Sequence, residues 1–374
     1  MSASAITPTA VTSTTASPPP TKRRQSMLSD GQSRLAGILL SPTMLVLLVV
    51  IGVPIVLSII ESLFLANQGV DPKTGLVQQG SKFVGLGNYS SALGAGAEQV
   101  HGVWGTLGRL TNAFLNTMFF TIVAVAMETI LGVIMALIMN QAFRGKGVVR
   151  AAILVPWAIP TIVSAKMWSL IFNSDGVANV LLGRQVLWLA DSSASQWAVV
   201  ISDVWKTAPF IGLLTLAGLQ TIDTQVYEAA KVDGASAWQT FWRITLPLVK
   251  PALVVAVLFR TLDTMRMFDL PFGMIGQNKY SVETLSMFAY AEARATRYGP
   301  AAAYSILLFL LVALVAFAFI RGLGADLVSD PEVEALAAQR KRLRKLHRQA
   351  AKQARAAARQ NRALTPMTSG EAQQ

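Results

Sequence analysis

The chain has no cysteine among its 374 residues. That excludes a disulfide framework, thiolate-bound zinc, iron–sulfur clusters and thiol catalysis. Histidine is nearly as scarce: His101 and His347 stand far apart, and neither has a second metal ligand at helical spacing. Charge is sparse as well. Only 14% of residues are charged, against about 25% in an ordinary soluble domain, while 53% are hydrophobic and the mean hydropathy is +0.48. These values argue against a single soluble globular domain. The phosphate-cradling pattern G-x-x-x-x-G-K-[ST] is also missing, since Gly145-Lys146-Gly147 has neither its spacing nor its hydroxyl residue. Hydrolysis of ATP by this chain is therefore not expected. With no HExxH, no GxSxG and no histidine in an apolar run, an intramembrane enzyme ranks last among the readings.

The charge that is present is unevenly placed. The formal net charge is +12, of which residues 1–34 carry +3, residues 331–374 carry +7 and the whole body between them only +2. Basic tails beside a near-neutral apolar body fit the cytoplasmic flanks of a membrane protein better than a nucleic-acid surface. The N-terminal tail, rich in Ser, Thr and Pro, reads as disordered. The segment 326–374 reads as a basic tail, helical after an Asp330-Pro331 cap and touching anionic lipid.

Long apolar runs fill the body. Leu35 to Ile60 is 26 consecutive uncharged residues, a helix of about 39 Å, enough to cross a hydrocarbon core of about 30 Å. A first transmembrane helix over 35–66 and a loop over 67–111 are expected. Five further spans follow at 112–143, 151–172, 196–219, 251–275 and 298–320. Six spans put both termini on one side. The termini and the even-numbered connections hold 21 Lys/Arg against seven on the other side, so the termini are expected to be cytoplasmic in a plasma-membrane, multi-pass chain.

The connection 221–250 has its own helical logic. A first helix is expected from Asp223 or Thr224 through Lys231, ended by a left-handed Gly234. Ser236 and Gln239 form a capping-box pattern for a second helix, running to about Thr245. Pro247 and Pro251 are then expected to turn the chain back into the membrane.

Glu228-Ala229-Ala230, three residues, Gly234, nine residues and Ile244-x-Leu246-Pro247 carry a specific resemblance. This spacing matches the EAA signature of ABC-importer permeases at every defined position. The segments 115–140, 154–172, 203–219, 232–238 and 258–269 extend the resemblance to about residues 35–325, within the maltose/trehalose permease branch. It implies an all-α integral membrane protein: six transmembrane helices with a MetI-like ABC importer permease core and a cytoplasmic EAA coupling helix pair. It implies that Glu228, Ala229, Ala230, Asp233, Gly234, Ile244, Leu246 and Pro247 couple the chain to an ATPase. It also implies the partners: a second, homologous permease, two ATP-binding subunits and an extracytoplasmic sugar-binding lipoprotein, besides membrane lipids and with no nucleic acid. The chain itself would bind no cofactor, ATP and Mg²⁺ being held by the partner ATPase. The cargo implied is a sugar, most naturally a disaccharide such as trehalose or maltose. The large extracytoplasmic domain of enterobacterial maltose permeases is absent, and only 67–111 stands in its place.

The fifth span carries Arg260, Asp263, Arg266 and Asp269. Each costs about 2.5–3.5 kcal/mol at mid-membrane on the insertion scale, so they cannot all face lipid. Successive members are three residues apart and can pair along one helical face. Two readings stand: a structural ion-pair ladder, or part of a translocation path. The resemblance points to the second, through a path containing Trp205, Lys206, Thr207, Phe210, Asp263, Arg266 and Asp269. The family has amides where this chain has Asp263 and Arg266. Pro209 and Pro271 are expected to break or kink helices near the path. Glu128 and Lys166 are lone ionisable residues in apolar spans, and Trp157 and Trp168 read as interfacial or packing aromatics. A proton- or ion-coupled secondary transporter is the alternative function, with the buried charges as its coupling groups.

Overall fold

The computed structural model describes residues 37–322, except 67–69, 71, 72, 77–79, 94–97 and 278, together with the isolated positions 35 and 339. The expectations for the two tails fall outside the described residues. Two compact units divide the chain at Ile60. The first is represented by most of helix α1 (Gly37–Ser62), whose 26 residues include one π-helical turn at Leu48–Gly52.

The second unit begins with small extended elements, which are an addition to the all-helical expectation. Strands β1 (Phe64–Ala66) and β2 (Ser81–Phe83) pair antiparallel, and α2 (Gly87–Leu93) follows. Strands β3 (Gln99–Gly102) and β4 (Gly105–Gly108) make a tight hairpin that leads straight into α3 (Arg109–Asn140). Three long helices form the frame of the unit: α3, α7 (Ser192–Leu219) and α9 (Ala237–Met265). Helices α3 and α7 approach closely because Gly132 and Gly212 face each other. A Cβ on Gly132 would stand 2.8 Å from Ile211, so small residues here let two backbones meet without a clash. Phe120, Val199, Val200, Leu270 and Val282 lie in the largest apolar cluster of this frame.

Two expected spans are broken. The stretch 151–172 is two helices, α4 (Lys146–Ala158) and α5 (Thr161–Ile171), bent by 94° at Ile159-Pro160, with a short α6 (Val177–Leu182) after them. Pro160 is compatible with the start of α5 but not with continuation of α4, because its ring fixes φ and it lacks an N–H. The stretch 251–275 likewise ends its long helix at Met265 and resumes as α10 (Asp269–Ile275) after three non-helical residues. The regular i, i+3 ladder therefore stops at Arg266, and no Arg266–Asp269 ion pair forms among the described residues. Counting the bent α4–α5 pair as one span, the described residues hold up to six candidate spans, the last being α12 (Tyr298–Gly322).

Of the two prolines expected to break or kink helices, Pro271 follows the break at 266–268 and Pro209 breaks nothing. Pro209 lies inside the continuous α7, and Pro271 sits in the first turn of α10, where a missing N–H leaves no bond unmade. Pro247 and Pro251 lie inside α9, which runs unbroken from Ala237 rather than turning there. A five-residue π turn at Phe241–Thr245 precedes Pro247. Its wider winding makes room for a ring that would otherwise press on the preceding turn.

The connection before α9 folds as its local signals dictate. Helix α8 (Thr224–Val232) is capped by Asp223, whose side chain accepts from the Gln225 N–H. Gly234 adopts φ +74°, and the Ala235 N–H returns to the Ala230 carbonyl, closing the helix end. Ser236 and Gln239 form the reciprocal capping box. After α10, the buried residues 281–284 lead to α11 (Leu285–Arg294) and then to α12.

Candidate functional site

A cavity of about 540 Å³ opens where the two helix breaks meet α7 and α9. Trp157 and Thr161 flank the first break, Arg266, Met267 and Phe268 form the second, and Asp269 begins the helix after it; all six line the cavity. Small-molecule sites commonly fall between about 300 and 1,000 Å³, so the space suits a solute of modest size. Irregular backbone at membrane depth is tolerated where it lines a cavity, and here both irregular segments do.

Beneath the cavity lies a buried charge network. Glu128, in the middle of α3, is fully buried and accepts two hydrogen bonds from Arg260, at 2.7 Å from Nε and 2.9 Å from Nη2. Thr207 donates to the same carboxylate at 2.7 Å. Arg260 Nη2 also donates to Asp203 Oδ2 at 3.0 Å, and Nη1 to Asp263 Oδ2 at 2.6 Å. One guanidinium thus ties α3, α7 and α9 together. Asp263 continues the network outward: its other oxygen accepts from Arg266 at 3.3 Å, and both side chains are exposed to the cavity side. Burying charges is costly unless each is paired and hydrogen-bonded, a condition that Glu128 and Arg260 meet fully.

Six of the seven expected path residues line the cavity: Lys206, Thr207, Phe210, Asp263, Arg266 and Asp269. Trp205 does not. Its ring packs edge-on against Trp168 at 5.6 Å. The aromatic wall is supplied instead by Trp157, stacked on Phe210 at 6.0 Å, so Trp157 is a lining residue rather than only a packing one. Lys206 has a second task. Its ammonium donates to the Ile159 carbonyl at 2.9 Å and reaches that of Trp157 at 3.5 Å. These carbonyls belong to the α4 end and have no next turn to bond. Lys206 therefore fastens the first helix break from across the bundle. Lys166 is exposed and forms no ion pair among the described residues.

Glu128 and Arg260 are 132 residues apart, and no local pattern announces their contact. The available signal was chemical: a single carboxylate in a 32-residue apolar helix requires a partner. The break at Pro160 was signalled only by Pro156 and Pro160 standing four residues apart.

At the other end of the bundle from α8, Arg109 makes a second network. It donates to both oxygens of Glu283, at 2.9 and 2.7 Å, and to Glu98 at 3.1 Å. Asn116 gathers the neighbouring segments, donating to the carbonyls of Tyr280 and Glu283 and accepting from Trp104 and Gln196.

On the α8 turn, Glu228, Ala229, Asp233, Gly234 and Pro247 are exposed, and Ile244 and Leu246 are half-buried. Ala230 departs from the expected docking face, being turned inward and 6% exposed. Val232 and Trp238, at 88% and 70% exposure, add apolar surface beside Gly234 that the sequence reading did not single out. No metal-binding cluster of His, Cys, Asp or Glu occurs among the described residues.

Comparison with known proteins places these features. Residues 128–326 match the family model described as binding-protein-dependent transport system inner membrane component. The trehalose/maltose transport system permease protein MalF of Thermococcus litoralis is 39% identical over 293 residues, 77% of this chain and 92% of the relative. The trehalose transport system permease protein SugA of Mycobacterium tuberculosis is 36% identical over 296 residues, 79% of this chain and 90% of the relative. The sulfoquinovosyl glycerol transport system permease protein SmoG of Agrobacterium fabrum is 31% identical over 301 residues. In fold, the chain resembles one from the crystal structure of a bacterial alginate ABC transporter with its pentasaccharide-bound periplasmic protein. That match has a TM-score of 0.65 and 19% identity, and covers 80% of this chain and 96% of the other.

Proposed function

We propose a function from one premise: this chain belongs to the family of binding-protein-dependent transport system inner membrane components. It is a permease subunit of an ATP-driven importer, and its cargo is a neutral sugar, a disaccharide such as trehalose or maltose. The observation that carries the cargo is the charge balance of the cavity. Lys206, Arg260 and Arg266 line it with Asp203, Asp263 and Asp269, and Glu128 behind Arg260 adds a fourth carboxylate, so the cations are matched by carboxylates and the wall holds no positive excess. A net-charged solute gains little from such a wall, whereas sugar hydroxyls can donate to Asp263 and Asp269 and accept from Arg266. Trp157 and Phe210 offer the flat apolar surface on which a pyranose face rests.

The chain acts with a second permease, two ATP-binding subunits and an extracytoplasmic sugar-binding protein. ATP and Mg²⁺ are held by the ATPase partners, and this chain contributes no nucleotide site. Both termini and the α8 turn are cytoplasmic. Glu228, Ala229, Asp233 and Gly234, with the apolar Val232 and Trp238, present the coupling surface, while Ala230, Ile244, Leu246 and Pro247 shape the turn from behind. Closure of the ATPases draws two such turns together, opens the permease pair outward to receive sugar, and releases it inward after hydrolysis. The relatives do not favour an ion-coupled secondary transporter.

The test is uptake of labelled trehalose and maltose into vesicles containing the assembled complex. Uptake should require ATP, the ATPase subunits and the binding protein, and should survive a protonophore. Glu228→Lys should abolish uptake while the complex remains assembled. Uptake driven by membrane potential without the ATPase subunits would overturn the reading.

A further inference from the structure

The second helix break is stitched by a side chain that lies outside the cavity. Residues 266–268 belong to neither α9 nor α10. The Arg266 and Met267 N–H groups fold back on Asp263 and Thr264, and the Phe268 carbonyl serves α10 by accepting from Phe272. The Met267 carbonyl has no place in either helical ladder. It accepts from the Thr284 hydroxyl at 2.7 Å. Thr284 is fully buried and is also the N-cap of α11, accepting from the Met287 N–H at 3.3 Å. The adjacent Leu285 N–H is bonded to Thr117 of α3 at 3.0 Å. Thr284 is thus fixed from two sides before it reaches the break. A second contact reinforces it, as Phe268 packs edge-on against Tyr290 of α11 at 4.9 Å.

We propose that Thr284 is a positioning residue for the sugar path: its hydroxyl anchors the Met267 carbonyl and thereby sets where Arg266 and Asp269 stand in the cavity. The inference rests on reading the cavity as that path. The break is short, with Arg266 and Asp269 flanking Met267 and Phe268, so a change at the Met267 carbonyl is passed directly to both charged side chains. Without the hydroxyl, a buried carbonyl loses its hydrogen bond and the segment must rearrange to recover one. The parallel with Lys206 is close. Each break that frames the cavity is held by one side chain from a different part of the chain, through a carbonyl that helix geometry leaves unbonded.

The experiment uses the whole complex, with Thr284→Val, Thr284→Ser, Arg266→Ala and the double variant Thr284→Val/Arg266→Ala. Two quantities are read: amide hydrogen exchange over residues 264–270, and the maximal ATP-driven uptake rate of labelled trehalose per assembled complex. Thr284→Val should raise exchange in that segment and lower uptake, each by about tenfold, the loss expected for one buried hydrogen bond. Thr284→Ser should restore both. The double variant should lose less uptake than the two single losses combined, because Thr284 acts in part through Arg266. Wild-type values for Thr284→Val, a serine variant as poor as valine, or fully additive losses would each overturn the proposal. Should the valine variant not assemble, Thr284→Cys, whose thiol is a weaker donor, should fall between serine and wild type on one side and complete loss on the other. A cysteine variant equal to wild type would overturn it. If wild-type complex takes up neither trehalose nor maltose, the sugar reading fails. Unchanged exchange over 264–270 in the valine variant sinks the positioning role independently.

Discussion

Arg260 and Arg109 are each surrounded by three carboxylates, yet the two networks differ in what encloses them. Arg260 is held by Glu128, Asp203 and Asp263, all from long helices in the middle of the bundle. Arg109 is held by Glu283 and Glu98, with Glu292 at 3.8 Å, and these partners come from loops and a short helix. The outer network has more ways to satisfy its charges. Glu98 is half-exposed, Glu292 is shared with Arg297, and the Arg109 guanidinium lies over the Phe288 ring at 4.8 Å. In the inner network Glu128 is sealed, Arg260 and Asp203 only edge the cavity, and Asp263 is openly exposed to it. The same chemistry therefore does different work. The outer network fastens loops, whereas the inner one fastens three helices and also presents a carboxylate to the cavity.

The largest effect should come from breaking the inner network. Arg260→Met leaves Glu128 and Asp203 buried without a cation, which costs about 3–5 kcal/mol for a broken buried pair. The variant complex should melt far below wild type in detergent, or fail to assemble. A companion variant sharpens the comparison. Arg260→Met combined with Glu128→Leu and Asp203→Asn removes the stranded charges together and should recover most of the melting temperature. Uptake should stay lost in it, because Asp263 no longer has its anchor. Recovery of uptake along with stability would show that the network is structural only.

A smaller effect is expected in the outer network. Arg109→Met strands Glu283, but Glu98 can turn to water and Glu292 keeps Arg297. The cost should be about 1–3 kcal/mol, that of one buried acceptor left unsatisfied. Thermal unfolding checks the ranking, and uptake per assembled complex should be unchanged. A melting loss equal to that of Arg260→Met would mean that enclosure by helices adds nothing.

What the sequence revealed follows the range of the interactions. The α8 turn was legible almost residue by residue, because Asp223, Gly234, Ser236 and Gln239 act within one or two turns of themselves. In the fifth span the pairing along one helix forms at Arg260–Asp263 and Asp263–Arg266, but it is only part of the network, since Arg260 also makes two bonds to Glu128 across 132 residues. A proline alone does not say whether a span breaks. Pro209 is accommodated inside α7, whereas Pro160 and Pro271 each stand at the start of the helix that follows a break. The exchange of Trp205 for Trp157 has a similar cause, since helical spacing alone does not say which face meets a cavity formed by other segments.

The outer network also makes the smallest prediction, through Glu283. Burial raises its carboxyl above the ordinary value of 4.5, although the hydrogen bonds and charge of Arg109 pull it down. With a folded-state pKa above the unfolded one, the folded protein holds the proton more tightly between the two values. The contribution of this group to stability is therefore greatest at low pH and is lost as pH rises from about 4.5 through the folded-state value. Glu283→Gln removes the titration while keeping an acceptor for Arg109. Melting curves of wild type and variant, taken across that window, should show the wild type losing ground to the variant as pH rises. A flat difference between wild type and Glu283→Gln would mean that Arg109 fully compensates the burial of Glu283, and the two networks would then be equally well paired.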